Sequence, residues 1–273
     1  MKSLKIDNSQ PVFEVKKGHN VFNQLAVKVD MNGVTDEQYF EWLDFVAEDA
    51  AKYINGVRFL EKEGVRDNPP LNTAVYYDTK DYKLLPTGAL LRTSCNKVTH
   101  AFCAFKMPEN EHGNRLDRRH VFQDEKKKQI QEAPYSPESV KIVKDLLKDQ
   151  ELDQPGKYLF REFNIAGDEL EPAVVLFGNR STFFVRIDEY DVLRCSLDRS
   201  RVMDYRKDIN GERKAFFQEV EISIYPRIKK EISEDVRIIE LIDYLVDSLK
   251  QRFSTKVIYD IKYQRAAEAL GIE

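Results

Sequence analysis

The sequence predicts an α+β fold in which an antiparallel β-barrel is covered by helices, and residues 1–273 are predicted to form one domain. Several short stretches alternate charged and apolar residues, as half-buried antiparallel strands do. A few other stretches repeat apolar residues at helical spacing. The chain is 42% hydrophobic and 33% charged, which is typical of a globular protein with a core. Antiparallel strands with a few covering helices often close into barrels.

The first third of the chain predicts strands around one helix. Thr35 can cap a helix whose apolar face includes Phe40, Leu43 and Val46. The sequence Pro86-Thr87-Gly88 predicts a turn between two strands. In chain order the predicted elements are a strand at 24–31, the helix after Thr35, a loop at 67–70, and strands at 74–77, 89–93 and 100–106.

Residues 107–135 form the most polar stretch, which is predicted to be a mobile connection or the end of a long hairpin. The run Lys126-Lys127-Lys128 within it is interpreted as a solvated cluster of charge, as such runs usually are. A lid over an anionic ligand is the alternative interpretation.

The second half predicts further strands between helices. Ser136-Pro137 predicts a helix start, because proline suits the first helical position. Asn210-Gly211 predicts a hairpin turn. In chain order the predicted elements are a helix from Ser136 to about 148, strands at 158–164, 172–177, 181–187, 192–198 and 215–224, a helix opened by Ser233, a short strand and a terminal helix at about 264–270.

Two of these strands place charged residues on a single face. Arg194 and Asp198 share one face of their strand, and Glu219 and Glu221 share one face of the next. Neighbouring carboxylates repel unless a cation or a shared proton relieves them. Gathered around one space, such faces would bind phosphate groups and a metal ion. The alternative is a set of ordinary strands whose polar faces meet water.

The charge balance does not favour nucleic acid as a partner. Lys and Arg number 43 against 47 Asp and Glu, a net charge of −4, which still allows a local basic pocket. The cysteines, Cys95, Cys103 and Cys195, cannot all pair and lack the spacing of a zinc site, which predicts buried thiols. Residues 1–10 have no apolar signal region and no run of about 18 apolar residues occurs. We therefore expect a cytoplasmic protein with no membrane partner. The oligomeric state stays open.

The ordered set of motifs from about residue 20 to 265 resembles the CYTH, or triphosphate tunnel metalloenzyme, superfamily. The segment from Val75 to Arg92 is similar to the "YFDT…L…G…LR" element of that superfamily, and Lys106 to its lysine after a strand. The residues Leu193–Asp198 followed by Glu219-Val220-Glu221 resemble its metal-holding second half. Residues 261–265 resemble its "SKY" element, and "LRCSLDRS" is similar to the VTC branch, which includes polyphosphate polymerases.

The resemblance implies a protein that binds a triphosphate-containing small molecule or polyphosphate in a basic lumen and hydrolyses it or transfers a phosphoryl group. The implied cofactor is Mg²⁺ or Mn²⁺. Phosphoryl transfer asks a protein mainly to position groups and neutralise charge. The implied metal ligands are Asp198, Glu219 and Glu221, and the implied catalytic residues are Lys28, Glu219 and Glu221. The implied phosphate-binding residues are Lys28, Arg92, Lys106, Arg180, Arg194 and Lys262.

The first strand departs from the superfamily's Glu-x-Glu-x-Lys motif. Gln24 and Ala26 stand where the acids are expected, and only Lys28 is retained. The fragment Glu14-Val15-Lys16 is an alternative with a single acid. Two functions therefore stay open, a metal-dependent phosphohydrolase or phosphotransferase and a module that binds or senses a phosphate-rich ligand with little or no turnover. A structural barrel within a larger assembly is a third.

Overall fold

The described part of the chain forms twelve strands and seven α-helices. This computed structural model describes residues 13–16, 19–22, 26–61, 63–108, 116–151, 154–207 and 213–272. The strands are β1 (Phe13–Lys16), β2 (His19–Phe22), β3 (Ala26–Asp30), β4 (Val57–Glu61), β5 (Leu71–Asp78), β6 (Leu90–Asn96), β7 (Ala101–Lys106), β8 (Asp117–Val121), β9 (Glu171–Ile187), β10 (Tyr190–Asp204), β11 (Lys214–Ile224) and β12 (Val257–Ile258).

The helices begin where the sequence offers caps. The Thr35 hydroxyl accepts from the Gln38 amide at 3.2 Å, and the Gln38 side chain accepts from the Thr35 amide at 2.9 Å, which forms a capping box. Ser136 caps a helix with Pro137 in its first turn, as predicted. The helices are α1 (Asp36–Tyr53), α2 (Asp124–Glu132), α3 (Pro137–Leu147), α4 (Pro155–Phe163), α5 (Lys230–Ser233), α6 (Val236–Phe253) and α7 (Lys262–Ala269).

Ten of the strands form one antiparallel sheet, in which nine follow the order β12-β3-β11-β10-β9-β5-β6-β7-β8 and the tenth, β4, pairs with β9 beside this path. The 17-residue strand β9 is its centre, because β10 pairs with one edge along almost the whole length. The other edge of β9 is shared by β5 and β4. The sheet curls strongly, so strands near its two ends face one another across a concave space.

Helices cover the convex face in two groups. The first group, α1 and α6, buries Trp42 and Leu245 against residues such as Val220 of β11. The second group, α2, α3 and α4, buries Leu159 and its neighbours against residues such as Phe105 of β7. Each large apolar side chain removed from water contributes about 1.5–3 kcal/mol to the stability of the fold. The two helical layers therefore stabilise the curled sheet from its convex side.

Helix α7 lies on the concave side and fills one end of it. Its Tyr263 ring stacks on Tyr76 of β5 with centroids 5.0 Å apart, and both rings are fully buried. The Tyr263 hydroxyl donates to the buried carboxylate of Asp78 at 2.9 Å. That carboxylate also accepts from the amides of Leu84 and Leu85 at 2.9 and 3.0 Å. Because the buried aromatic side chains of α7 and β5 fill this end of the concave face, the charged side chains of that face lie toward its other end.

The α+β class and the antiparallel sheet are confirmed, whereas closure into a barrel is not. Among the described residues the sheet runs from edge strand β12 to edge strand β8 with no ladder between them. The edge strand β12 has only two residues, which pair with β3.

Three predicted segments differ from the structure. Residues 158–164 lie mostly in helix α4 and not in a strand, because Pro155 begins a helix whose Tyr158 and Leu159 are buried and whose end is Asn164 in a left-handed conformation (φ 52°). The strands predicted at 172–177 and 181–187 are one strand, β9. The polar stretch 107–135, predicted as a mobile connection or the end of a long hairpin, contains strand β8, which pairs antiparallel with β7 as in a hairpin, and helix α2. The predicted Asn210-Gly211 turn lies outside the described residues.

Candidate active site

The concave face of the sheet encloses a cavity of about 400 Å³. Strands from both ends of the sheet and helix α7 contribute to its wall. Of the residues predicted to form the site, all but Glu219 line it. Those residues are Lys28, Arg92, Lys106, Arg180, Arg194, Asp198, Glu221 and Lys262. The convergence on which the predicted site depends is therefore present in the structure.

Positive charge dominates the cavity wall. Seven cationic and three anionic side chains line it, a net charge of +4 in a chain whose net charge is −4. A cleft lined by one sign of charge with low-dielectric walls focuses its field and attracts the opposite ion. The electrostatic field of the cavity therefore favours an anionic ligand.

The acidic cluster consists of Asp198 on β10 and Glu219 and Glu221 on β11. Asp198 and Glu219 are directly opposed across the two strands, and Glu221 follows two residues later on the same face. One carboxylate oxygen from each of the three lies within 4.8 Å of the others. Glu219 is fully buried beneath the cavity, while Glu221 retains 16% exposure of its side chain.

Cations from two elements, β9 and α7, neutralise this cluster. Arg180 of β9 is the cross-strand partner of Asp198 and grips it with two hydrogen bonds of 2.6 and 2.5 Å. The Lys262 ammonium, at the start of α7, contacts Asp198 and lies 3.1 Å from Glu219. Arg265, one turn further along α7, donates to Glu219 at 2.6 Å. These contacts allow three carboxylates to be held together in a buried place.

The pKa values in the cluster follow from these contacts. Burial alone would raise the pKa of Asp198, but Arg180 and Lys262 outweigh it and lower that pKa below its ordinary value. The pKa of Glu221 is lowered in the same way, since the effect of burial is exceeded by that of the surrounding cations, Arg180 first. Burial lowers the pKa of Lys262, but the carboxylates of Asp198 and Glu219 raise it further, so its net shift is upward. All three groups are charged at neutral pH.

Lys28 and Arg194 flank the cavity side of Glu221. Lys28 lies opposite Glu221 across β3 and β11, and its ammonium donates to the Asp260 carbonyl at 3.3 Å. The Arg194 guanidinium is 3.8 Å from the Glu221 carboxylate. Both cations keep donor capacity toward the cavity, because an ammonium has three N–H groups and a guanidinium five.

The opposite wall, on β6, β7 and β8, is also cationic. Arg92 is within 3.4 Å of the Tyr76 hydroxyl, and its buried Nε has no hydrogen-bond partner among the described residues. Lys106 and Arg119 both pair with the buried Asp117, at 2.8 and 3.1 Å. One carboxylate thus holds two cations in place at this wall.

Several of these residues do not belong to the predicted set. Asp117 and Arg119 lie in the stretch predicted as a connection or hairpin end, because the sequence Asp-Arg-Arg-His-Val of β8 lacks the apolar alternation that predicts a strand. Asp30 lies on the same face of β3 as Lys28 and pairs with Arg265 at 2.9 Å. Arg265 itself stands three residues after Lys262, which places both on one side of a helix.

The first strand carries no acid at its described motif position. Ala26 is on the same face of β3 as Lys28, opposite Ser223 of β11. Gln24 lies outside the described residues. The carboxylates of the acidic cluster therefore come from β10 and β11 alone.

The acidic cluster fits a divalent metal in donor type and spacing. Mg²⁺ and Mn²⁺ prefer carboxylate oxygens, which Asp198, Glu219 and Glu221 supply. One oxygen of Glu219 is buried and accepts no hydrogen bond among the described residues, although the Lys262 ammonium lies 3.1 Å from it as an ion-pair partner. The cluster thus has both ligand atoms and unused acceptor capacity.

Comparison with solved structures identifies the fold. The chain is 15% identical to a candidate adenylate cyclase from Bacillus halodurans, with 91% of this chain and 98% of that chain covered and a TM-score of 0.50. It is 13% identical to HpAC1, a candidate adenylyl cyclase from Hippeastrum with a dominant triphosphatase activity, with 90% and 96% covered and a TM-score of 0.51. No protein-family model matches the chain, and no curated protein sequence matches it.

The chain therefore shares the fold of these two solved structures. The similarity to the VTC branch stays a prediction. No described helix has the length and apolar character that crossing a bilayer requires.

Proposed function

We propose that this protein binds the triphosphate group of an inorganic or organic triphosphate, or polyphosphate, in the cavity and hydrolyses it or transfers its terminal phosphoryl group with the help of Mg²⁺ or Mn²⁺. The observation that carries the proposal is the convergence of seven cationic side chains and a three-carboxylate cluster on one cavity. The dominant triphosphatase activity of HpAC1, which shares the fold, supports it.

Anion binding falls to the cations on opposite walls. Arg92 lines the cavity without a carboxylate partner among the described residues. The Arg194 guanidinium lies 3.8 Å from the Glu221 carboxylate and keeps N–H donors for a ligand. Arginine forks bind phosphate oxygens in pairs, and lysine adds a mobile point charge. A chain of phosphates spanning the cavity would contact Arg92 and Lys106 on one side and Lys28 and Arg194 on the other.

The acidic cluster would hold the metal. When bound, a divalent ion polarises a phosphoryl oxygen and neutralises the charge that develops on it. Asp198 and Glu221 line the cavity and are the carboxylates that can reach a substrate, whereas the buried Glu219 acts through Lys262 and Arg265. Lys28 places its charge beside Glu221, where it can stabilise a phosphoryl oxygen.

A second function, binding a phosphate-rich ligand without efficient turnover, is favoured by Ala26. With no acid at this position, the groups that organise an attacking water are reduced to Asp198 and Glu221. The variant Ala26→Glu should raise phosphate release at least about tenfold if the missing acid limits turnover. A rate unchanged by Ala26→Glu in a protein that binds triphosphate would show that this position does not set the rate.

The main test is phosphate release from tripolyphosphate and nucleoside triphosphates with Mg²⁺ or Mn²⁺. We expect release by the unmodified protein and a loss of about 100-fold in Glu221→Gln. The control is Glu189→Gln, because the Glu189 side chain is 82% exposed and pairs with Arg58 away from the cavity. Thermal stabilisation by triphosphate without release would select the binding function, and the absence of both would refute the proposal.

We further propose a cytoplasmic location. The three cysteines are all buried and unpaired, as thiols of a reducing compartment are.

A further inference from the structure

The Lys262 ammonium occupies the place between carboxylates where a metal would have to bind. It contacts Asp198 and lies 3.1 Å from Glu219, two of the three members of the acidic cluster. The main chain of Lys262 is held firmly, because Tyr263 is stacked on Tyr76 with centroids 5.0 Å apart and bonded to Asp78 at 2.9 Å. Only the flexible part of the Lys262 side chain can move.

A divalent ion and this ammonium compete for the same oxygens. Two cations sharing two carboxylates at contact distance repel each other strongly in a buried site. A metal entering the free protein would have to expel the ammonium into a cavity whose other lining side chains, six cationic and three anionic, already carry a net charge of +3. Divalent ions alone therefore meet an acidic cluster that is already neutralised.

A triphosphate offers Lys262 a second set of partners. Lys262 lines the cavity, and its four-carbon stem lets the ammonium swing from carboxylates to phosphate oxygens while α7 stays in place. Once it turns, Glu219 Oε1 is left without a cation, and the Asp198 oxygen that the ammonium contacted keeps only its hydrogen bond from Arg180. The negative charge brought by the ligand also removes the repulsion that opposes a metal.

We propose that Lys262 is an exchangeable internal cation, which holds the metal position in the free protein and yields it to a divalent ion only when triphosphate is bound. This inference rests on the proposed function for its triphosphate step alone. It assigns an order to binding, in which the metal enters with the phosphate ligand or after it. It also predicts that the acidic cluster, although its ligands are intact, binds free metal weakly.

The experiment is a titration with Mn²⁺ alone, followed by electron paramagnetic resonance of the unbound ion. The proteins are the unmodified chain, Lys262→Met and, as a control for lost positive charge, Arg92→Met. The Arg92 guanidinium lines the same cavity but forms no ion pair with a carboxylate among the described residues. A second titration adds imidotriphosphate, which resists hydrolysis. Melting curves with and without Mn²⁺ accompany each titration.

We expect Lys262→Met to bind Mn²⁺ alone at least about tenfold more tightly than either the unmodified chain or Arg92→Met. Imidotriphosphate should raise the Mn²⁺ affinity of the unmodified chain by a similar factor and that of Lys262→Met by much less. If Lys262→Met is destabilised, Mn²⁺ should raise its melting temperature and leave that of the unmodified chain unchanged.

Equal Mn²⁺ affinity in Lys262→Met and Arg92→Met would overturn the inference, as would tight binding of Mn²⁺ alone by the unmodified chain. If imidotriphosphate failed to bind the unmodified chain, the proposed function and the exchange step would both fall. The titration with Mn²⁺ alone would still decide whether Lys262 holds the metal position, because it contains no phosphate.

Discussion

Replacing Asp198 by asparagine should lower the stability of the fold and raise its affinity for triphosphate. Asp198 is 3% exposed and neutralises both Arg180 and Lys262. Asparagine keeps the shape and removes the charge, so two cations lose their main partner. Removing one member of a buried ion pair costs about 3–5 kcal/mol, and we expect the lower value because the Arg180 side chain is 33% exposed.

The affinity changes in the opposite direction for the same reason. The charge of the cavity wall rises by one, and the Arg180 fork that was bonded to Asp198 at 2.6 and 2.5 Å becomes available to phosphate. A charge-assisted hydrogen bond contributes about 1.5–3 kcal/mol, so tripolyphosphate should bind at least about tenfold more tightly. Urea unfolding gives the stability, and calorimetry with a chelator present gives the affinity without any metal.

The matched control is Asp191→Asn. Asp191 pairs with Arg186 at 2.9 Å on the same two strands, but both side chains are about one-third exposed at the far end of the hairpin. Its loss should cost less than about 1 kcal/mol and leave the affinity unchanged. The reasoning is refuted if Asp198→Asn is as mild as the control, or if it weakens the binding of metal-free tripolyphosphate.

Three further outcomes follow from the same contacts. Arg92→Met should weaken metal-free tripolyphosphate binding about tenfold to 100-fold with little change in stability, measured by calorimetry and urea unfolding, and an unchanged affinity would exclude Arg92 from the binding wall. Tyr263→Phe should cost about 1–3 kcal/mol in urea unfolding because the buried Asp78 carboxylate loses a donor, and a cost near zero would contradict that role. The pKa values of Asp198 and Glu221 are lowered by folding, so their contribution to stability is complete above the ordinary carboxyl pKa of about 4 and is lost as the pH falls through the lowered values; unfolding measured against pH should show this loss, and Asp198→Asn should reduce it.

Side-chain alternation along a strand predicts which charged residues share a face, whereas the predicted set of site residues came from the resemblance to a known superfamily. Arg194, Asp198 and Glu221 could be assigned to one side from spacing alone, and antiparallel neighbours then bring those sides together. How deeply each of these side chains is buried beneath the cavity could not be predicted in this way. Glu219 has the same spacing as Glu221 yet lies beneath the cavity, since the curl of the sheet and the position of α7 decide which of the two reaches the open space.

The motifs also do not predict residues whose role depends on tertiary packing. Arg265 reaches Glu219 and Asp30 only because α7 is folded back into the concave face, a contact between parts of the chain more than 40 residues apart. The helix at Pro155 was missed for a related reason. Its short apolar run suits a strand or a helix equally, and burial against the sheet decides between them.

The acids of the cavity have a physical role even where no metal binds. Each holds cations in fixed positions: Asp198 fixes Arg180, and Asp117 fixes Lys106 and Arg119. Ordering long side chains before binding lowers the entropy that the ligand must otherwise overcome, which strengthens anion binding without adding a contact. The carboxylates alone therefore do not separate an enzyme from a binding module. What separates them is whether Lys262 gives up its place to a metal, because only then can the same three carboxylates take part in phosphoryl transfer.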